Sequence, residues 1–256
     1  MAIINIKNLN YGSLYNNLNL QVNKNEFITL SGANNCGKTT LIRILDSQIK
    51  GDFDINLYEK NISEYKIDEL SKIIQTVIPN EIRFFEKNLY EEASLYTNGD
   101  NRLFESIVKG LKIRRLIEKD FDEYNQQEVI LAQLCIALAI NPKILLIDNI
   151  SGYFCSKEME QILSFLKEYS EKNELTIINT TINLEESLFT DRLIIINDGI
   201  IELDGVPIEI LQKDNIINKI GLSIPFMIDL SVKLKDYDLL NEIEMDKNRM
   251  VDKLWN

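Results

Sequence analysis

Hydrophobic and polar residues alternate in two short segments near the start of the chain. Residues 4–9 and 18–22 place apolar side chains at or near every second position, and a short polar turn separates the two segments. Such alternation is typical of half-buried strands, so the segments predict an antiparallel β layer. Residues 26–31 then form a short apolar run, and residues 39–45 follow with helical periodicity. This order predicts a strand, a glycine-containing loop and a helix.

The next part of the chain alternates helix and strand patterns. Apolar residues recur at helical spacing from about residue 90 to residue 139, where strand signals are scarce. Apolar strands are predicted at residues 144–147 and 176–178, with a helix between them at residues 157–169. Strands that alternate with helices are typical of a parallel sheet. The segment 90–139 therefore predicts a helical subdomain inserted into an α/β core.

Two further strands and a helical tail complete the pattern. The strands, residues 192–196 and 200–203, are joined by an Asn-Asp-Gly turn, which is a strong hairpin signal. After this hairpin the spacing becomes helical again. We expect one α/β domain over residues 1–211, with a parallel-sheet core and an antiparallel β layer, and a small helical C-terminal extension over residues 212–256.

Composition limits the classes of partner. The 45% hydrophobic content is ample for a packed core, and the formal charge of −12 repels phosphate backbones and argues against nucleic acid. No apolar stretch approaches the roughly 18 residues that a membrane-spanning helix needs, and the N-terminus lacks the layout of a signal peptide. We expect a cytoplasmic protein.

Cysteine and histidine usage excludes some site chemistry. The chain has three cysteines, Cys36, Cys135 and Cys155, and no histidine. The three cysteines are widely spaced, which is not typical of a zinc site. Their number and spacing favour a reducing compartment. Without histidine, no imidazole can act as a general base, a metal ligand or a pH switch.

Residues 32–39, Gly-Ala-Asn-Asn-Cys-Gly-Lys-Thr, fit the phosphate-binding pattern G-x-x-x-x-G-K-[ST] between a predicted strand and a predicted helix. In this pattern Gly37 permits close backbone approach, Lys38 reaches the β- and γ-phosphates, and Thr39 ligates Mg²⁺. A chance match in a strand-to-helix turn is the alternative. The candidate nucleotide-binding residues of the loop are Gly32, Asn35, Cys36, Gly37, Lys38, Thr39 and Thr40.

Asp148 is the candidate acidic partner of this loop. It ends the predicted strand 144–147, and a Mg²⁺ ion beside Thr39 needs a carboxylate facing it. The alternative is an aspartate that caps the following helix. We therefore expect Thr39 and Asp148 to form the metal site.

Longer stretches carry a family resemblance. Lys38 and Asp148 lie about 110 residues apart with a helical insert between them. Residues 137–148 resemble the end of the signature helix and the Walker B strand of ABC ATPases, and residues 197–211 resemble the last hairpin of that family. The resemblance implies an ABC-type P-loop nucleotide-binding domain that uses ATP and Mg²⁺.

The C-terminal extension narrows the resemblance. Residues 221–226 and 250–255 are similar to the extension of ATP-binding subunits of energy-coupling factor (ECF) transporters. In such transporters two ATPase subunits drive a transmembrane T component and a substrate-capturing S component, which import vitamins or metal ions. The resemblance implies a second ATPase partner, in a heterodimer rather than a homodimer, and a peripheral location on the inner face of the cell membrane.

The catalytic positions of the family are replaced in this chain. Asn149 stands where a glutamate normally polarises the attacking water, and Ile182 stands at the switch histidine position. The signature Leu-Ser-Gly-Gly-Gln falls on residues 124–128, Tyr-Asn-Gln-Gln-Glu. We therefore assign no catalytic residue and expect weak or absent ATP hydrolysis at this chain's own site.

Other family positions have open assignments. Ile78 aligns with the Q-loop glutamine, and Gln75 replaces it only if the loop is shifted. Asn35 replaces a second loop glycine, which it can do because asparagine tolerates left-handed backbone angles. Tyr11 is the candidate to stack on adenine, with a tyrosine of the β layer as the alternative.

Two functional hypotheses remain. The first is a degenerate ATPase subunit of an ECF transporter that contributes ATP binding more than hydrolysis. The second is an ATP-sensing scaffold or regulatory subunit that moves no substrate. The C-terminal extension favours the first hypothesis, and the transported substrate is not encoded in this chain.

Overall fold

The computed structural model describes residues 1–81, 83–97 and 101–255. The strands are β1 (Ala2–Tyr11), β2 (Tyr15–Asn23), β3 (Phe27–Ser31), β4 (Asp54–Leu57), β5 (Lys60–Asn61), β6 (Ile74–Val77), β7 (Ile144–Asp148), β8 (Thr176–Thr181), β9 (Arg192–Asn197) and β10 (Ile200–Gly205). The helices are α1 (Lys38–Leu45), α2 (Ile67–Ile73), α3 (Leu89–Thr97), α4 (Asn101–Leu111), α5 (Gln126–Ala139), α6 (Ser156–Asn173), α7 (Pro207–Ile210), α8 (Asp214–Ile220), α9 (Phe226–Asp236) and α10 (Lys247–Trp255).

The strands form two sheets. One has the order β2-β1-β4-β5 and is antiparallel, and the other has the order β10-β9-β3-β8-β7-β6. In the larger sheet β9, β3, β8, β7 and β6 run parallel, and only the edge strand β10 is antiparallel to its neighbour. The predicted α/β fold class, with a parallel core and an antiparallel layer, is confirmed.

Burial helps to explain why the sequence predicted some strands and not others. Every residue of β3, β7 and β8 is buried, because helices or the second sheet cover both faces of a parallel sheet. The short strands β4, β5 and β6 were not predicted. In β6 the two central residues, Gln75 and Thr76, are polar and only partly buried, so its pattern does not stand out.

Helix α1 lies between the two sheets. Its apolar residues Leu41, Ile42 and Leu45 belong to one core cluster with residues of β1, β2 and β4 on one side and of β7 and β8 on the other. The helix that follows the phosphate-binding loop is therefore held from both sides. This packing fixes the direction of its N-terminus.

The inserted helices pack on the opposite face of the parallel sheet. Residues of α3, α4, α5 and α6 share one hydrophobic cluster with Val77, Leu145 and Ile177 of the sheet. Helices α3, α4 and α5 lie between residues 89 and 139. The N-terminus of α5 lies at residues 125–126, within the segment aligned with the family's signature motif.

The C-terminal segment packs on the core rather than standing apart from it. Ile217 of α8 and Ile228 of α9 share a cluster with Leu193 and Ile195 of β9. Gly221, with φ 84°, ends α8 in a left-handed conformation. Among the helices in the described ranges, none combines the length and apolar character needed to cross a membrane.

Candidate functional site

The loop between β3 and α1 needs glycine at both ends of its motif. Gly32 has φ 152°, and a Cβ there would overlap the carbonyl oxygen of Ile196. Gly37 has φ 106°, and a Cβ there would lie 2.7 Å from the Tyr15 hydroxyl. Asn35 has φ 63°, which is a left-handed conformation that asparagine tolerates. Residues at these positions therefore allow the tight course of the loop.

Tyr15 supports the loop from below, and the sequence did not indicate this role. The side chain is 2% exposed, and its hydroxyl donates a hydrogen bond to the carbonyl of Gly37. Burial raises the pKa of Tyr15 well above its ordinary value. The phenol therefore stays protonated and remains a donor at neutral pH.

Lys38 begins α1 and turns back over the loop. Its ammonium donates to the carbonyls of Gly32 at 2.7 Å and Ala33 at 2.9 Å, and lies 3.7 Å from the sulfur of Cys36. The side chain is only 8% exposed. None of these three acceptors is a carboxylate, so the buried positive charge is available to an anion at the N-terminus of α1.

Asp148 joins the loop from the end of β7. One carboxylate oxygen accepts a hydrogen bond from the Thr39 hydroxyl at 2.7 Å, and the other accepts from the Thr180 hydroxyl at 2.5 Å. These donors are side chains of α1 and β8, not N–H groups of a helix that Asp148 would cap. The fold thus brings Thr39 and Asp148 together across 109 positions of the chain. Hydroxyl and carboxylate oxygens are the ligand types that Mg²⁺ prefers.

These groups face a cleft of about 300 Å³. Its lining residues are Leu14, Asn34, Asn35, Gly37, Lys38, Thr39, Thr40, Asp148, Asn149 and Ile182. The cleft therefore unites five of the seven predicted loop residues, all but Gly32 and Cys36, with Asp148 and with the two replaced catalytic positions. Leu14 and Asn34 were missed, because neither side chain carries the charge or the fixed place in the motif that would have marked it.

The two replaced positions present no base to the cleft. Asn149 has φ 49°, and its N–H donates to the carbonyl of Thr180 at 2.9 Å. Its carboxamide can form hydrogen bonds but cannot take a proton at neutral pH. Ile182 is 46% exposed and offers only an apolar side chain.

Other predicted positions lie outside the cleft lining. The ring of Tyr11 packs edge-on against Phe53, with 6.2 Å between ring centroids. Cys36 is partly buried against the cluster that contains α1. Ile78 is 6% exposed, and the side-chain amide of Gln75 donates to the carbonyl of Ser71. Neither Ile78 nor Gln75 faces the cleft.

The segment aligned with the family's signature motif closes the N-terminus of α5 with its own side chains. The Asn125 side chain accepts from the N–H of Glu128 at 3.0 Å, and the Glu128 carboxylate accepts from the N–H of Asn125 at 3.1 Å. This reciprocal pair is a capping box. A helix N-terminus attracts anions through its free N–H groups, and here a carboxylate of the same chain occupies part of that position.

Glu128 is held in place by two cations. Its carboxylate lies 2.8 Å from the ammonium of Lys119 and 3.2 Å from the guanidinium of Arg115, and the side chain is 6% exposed. The hydrogen bond from Lys119 is the main reason why the pKa of Glu128 lies below its ordinary value. Glu128 is therefore ionised at neutral pH.

The two glutamines of the segment are also engaged. Gln126 donates to the side-chain oxygen of Asn80, and Gln127 donates to the carbonyl of Tyr153. Asn80 in turn donates to the Tyr153 hydroxyl at 3.0 Å. The two glycines of the family's signature motif have no side chains. At the same positions, the amides of Gln126 and Gln127 form hydrogen bonds with other parts of this chain.

The amino-acid sequence is similar to those of known ATP-binding proteins of transporters. The chain is 29% identical to the energy-coupling factor transporter ATP-binding protein EcfA1 of Oenococcus oeni, over 100% of this chain and 98% of that protein. It is 31% identical to the spermidine/putrescine import ATP-binding protein PotA of Borreliella afzelii, over 83% of this chain and 65% of the relative.

A solved structure gives the same fold. The structure of CbiO1 from Clostridium perfringens, described as part of the ABC transporter complex CbiONQ, superposes with a TM-score of 0.74 at 21% identity, over 90% of this chain and 98% of that one.

The family model described as ABC transporter matches residues 15–151, more than half of the chain. The protein therefore belongs to the ABC transporter family, and its fold is that of an ABC ATPase.

Proposed function

We propose that the protein is an ATP-binding subunit of an ECF-type transporter that imports a vitamin or a metal ion. It binds Mg-ATP through its own loop and hydrolyses it slowly or not at all. One observation carries this proposal. The contact between Thr39 and Asp148 beside Lys38 is present, while Asn149 and Ile182 place neither a carboxylate nor an imidazole at the two catalytic positions of the same cleft.

The residues of the cleft fit the triphosphate and its metal ion. Lys38 and the N–H groups at the start of α1 provide positive charge, and Thr39 and Asp148 provide oxygen ligands for Mg²⁺. When bound, the ion neutralises part of the phosphate charge. Gly32 and Gly37 let the backbone approach closely, which any larger residue would prevent. Tyr11 remains the proposed contact of the adenine ring.

Slow hydrolysis follows from the neutral side chain at the end of β7. Asn149 can orient a water molecule by hydrogen bonding, but its amide cannot accept the proton that leaves this water. The carboxylate of Asp148 is already engaged by Thr39 and Thr180. Losing a positioned general base costs about a hundred- to ten-thousand-fold in rate. The further change at Ile182 affects the same step, so the two losses are not additive.

The partners are proposed from the relatives. EcfA1 is named as a transporter ATP-binding protein, and CbiO1 is described as part of a transporter complex. We propose a second ATPase subunit, a transmembrane T component and an S component as partners, on the inner face of the membrane. A heterodimer is favoured because the capping box of Asn125 and Glu128 closes α5 in this chain, and a homodimer would carry that feature twice.

Nucleotide binding is tested with a fluorescent ATP analogue. We expect saturable binding that requires Mg²⁺, loss of binding in Lys38→Ala, and unchanged binding in the control Lys7→Ala, which removes an exposed lysine of β1. Phosphate release is measured on the same samples. Native protein without Mg-ATP binding, or one that hydrolyses ATP at an ordinary transporter rate through this site, would contradict the proposal.

Assembly is tested by affinity purification of the tagged chain from membranes in the presence of ATP. Recovery of a second ATPase and integral membrane subunits would support the transporter assignment. Recovery of the chain with bound ATP but without any integral subunit would favour the scaffold hypothesis instead.

A further inference from the structure

A second cavity lies at the opposite end of α1 from the phosphate-binding loop. Its volume is about 470 Å³, within the range typical of small-molecule sites. The wall is mostly apolar and comes from the end of α1, the loop after it, the β layer and α2. Its main apolar side chains are Ile44, Ile49, Phe53, Ile62 and Leu70. A ligand with an apolar body therefore fits this wall.

The distinctive polar group in the cavity is the carboxylate of Asp46. Asp46 follows the last residue of α1, and its N–H donates to the carbonyl of Ile42 while the N–H of Ser47 donates to that of Ile44. One carboxylate oxygen accepts from the side-chain amide of Gln48 at 2.7 Å. In the described part of the chain no ion pair involves Asp46, and Lys50, which also lines the cavity, is exposed and not paired with it.

The surroundings of Asp46 favour a positive charge. Burial raises the pKa of Asp46; the hydrogen bond from Gln48 and the side chain of Thr76 oppose this rise, and the negative charge of Glu81 adds to it. Arg43, one turn earlier, is engaged with Glu81. The C-terminus of α1 adds a partial negative charge of its own. Asp46 is only partly buried and keeps a hydrogen bond from Gln48, but a partly desolvated carboxylate is still stabilised by a nearby cation, so this end of the cavity is suited to a cationic group.

We propose that this cavity binds a small organic cation, a primary amine carried on an aromatic or branched apolar body. The ammonium group lies against Asp46 at the end of α1, and the apolar body lies against Phe53 and Leu70. A metal ion does not fit equally well, since in the described ranges Asp46 belongs to no group of three or more His, Cys, Asp or Glu side chains that could hold one. An anion would be repelled by Asp46.

The test uses tryptamine and tryptophol, which differ by an ammonium and a hydroxyl group on the same indole body. We expect saturable tryptamine binding by calorimetry at about 1 mM or tighter, as roughly twelve non-hydrogen atoms would give. Tryptophol should bind about tenfold more weakly, because a hydrogen bond to a charged group is stronger than one to a neutral group.

Two variants locate the site. Asp46→Asn should lower the affinity for tryptamine to that for tryptophol, and the control Asp52→Asn, which removes an exposed neighbouring carboxylate, should not. Ser71→Trp fills the cavity from α2 and should abolish binding of both compounds, while Ser71→Ala should not. Binding of the ATP analogue, measured in parallel, reports that each variant is folded.

Three results would overturn the proposal. The first is equal affinity for tryptamine and tryptophol, and the second is unchanged tryptamine binding in Asp46→Asn. The third is the absence of saturable tryptamine binding up to about 10 mM, well above the affinity expected for a ligand of this size. None of these results bears on ATP binding by Lys38, so the two proposals fail independently.

Discussion

Replacing Glu128 by glutamine tests whether the start of α5 is held closed by its own chain. The substitution keeps the size of the side chain and removes its charge. In the native protein the carboxylate accepts from the N–H of Asn125 at 3.1 Å and pairs with Lys119 at 2.8 Å and with Arg115 at 3.2 Å. Glu128→Gln therefore weakens one helix cap and two charge interactions together.

The expected loss is moderate because the two cations reach solvent. The side chains of Lys119 and Arg115 are 29% and 75% exposed, so both can regain water when the carboxylate is removed. The loss of about 3–5 kcal/mol seen when a fully buried pair is broken therefore does not apply. Weakening the cap and one charged hydrogen bond together should cost about 1–3 kcal/mol of the free energy of unfolding.

Urea unfolding followed by circular dichroism at pH 7 measures this loss. The matched control is Glu118→Gln, which removes an exposed carboxylate from the turn next to Lys119 and should change stability by less than about 0.5 kcal/mol. A loss in Glu128→Gln no larger than that of the control would refute a stabilising charge interaction of Glu128 with Lys119 and Arg115.

The pH dependence gives a second check. The pKa of Glu128 is lower in the folded protein than its ordinary value of 4.5. A lowered pKa contributes stability that is fully present above the unfolded value and is lost as the pH falls through the folded value. The difference between native protein and Glu128→Gln should therefore be constant from neutral pH to about pH 5.5 and shrink below pH 4.5. A difference independent of pH over this range would contradict the ionic interaction.

Three further predictions concern the cleft. Asn149→Glu should raise the rate of ATP hydrolysis by up to about a hundredfold. It should also lower the free energy of unfolding by about 1 kcal/mol, because residue 149 has a positive φ. An unchanged rate of phosphate release would show that the general base is not the missing group. Tyr15→Phe removes the donor to the Gly37 carbonyl and should weaken binding of the ATP analogue about threefold to tenfold, whereas equal affinity would exclude a supporting role. Gly32→Ala should lower the free energy of unfolding by about 1–3 kcal/mol through overlap with the Ile196 carbonyl, and thermal unfolding at the native temperature would exclude that overlap.

The phosphate-binding loop could be found from the sequence because its chemistry is contiguous. Eight neighbouring residues carry the glycines, the lysine and the threonine, and the strand and helix patterns on either side set their context. Asp148 was found for a similar reason, since an acidic residue directly follows a run of four apolar ones. Leu14 and Tyr15 could not be found in this way, because nothing in their local pattern indicates that β2 passes beneath the loop.

The segment at the start of α5 shows most clearly which contacts the sequence alone does not predict. Residues 124–128 reveal that the glycines of the family motif are absent. They do not reveal which groups the Glu128 carboxylate contacts. The structure turns Glu128 back onto the N–H of Asn125, where Lys119 and Arg115 neutralise its charge.

The sequence by itself determined the order of the strands and helices apart from the short elements between α1 and α3, together with the phosphate-binding motif and the identities of the replaced catalytic residues. These features can be read from the sequence because each depends on residues that are close together in the chain, such as the spacing of apolar residues in a strand or helix and the residues of a turn. Only the tertiary structure gave the predicted contact of Thr39 with Asp148 its geometry, and only it showed that Tyr11 packs on Phe53 and that Asp46 lines a second cavity. Such contacts join distant parts of the chain, and they depend on how α1 is packed between two sheets.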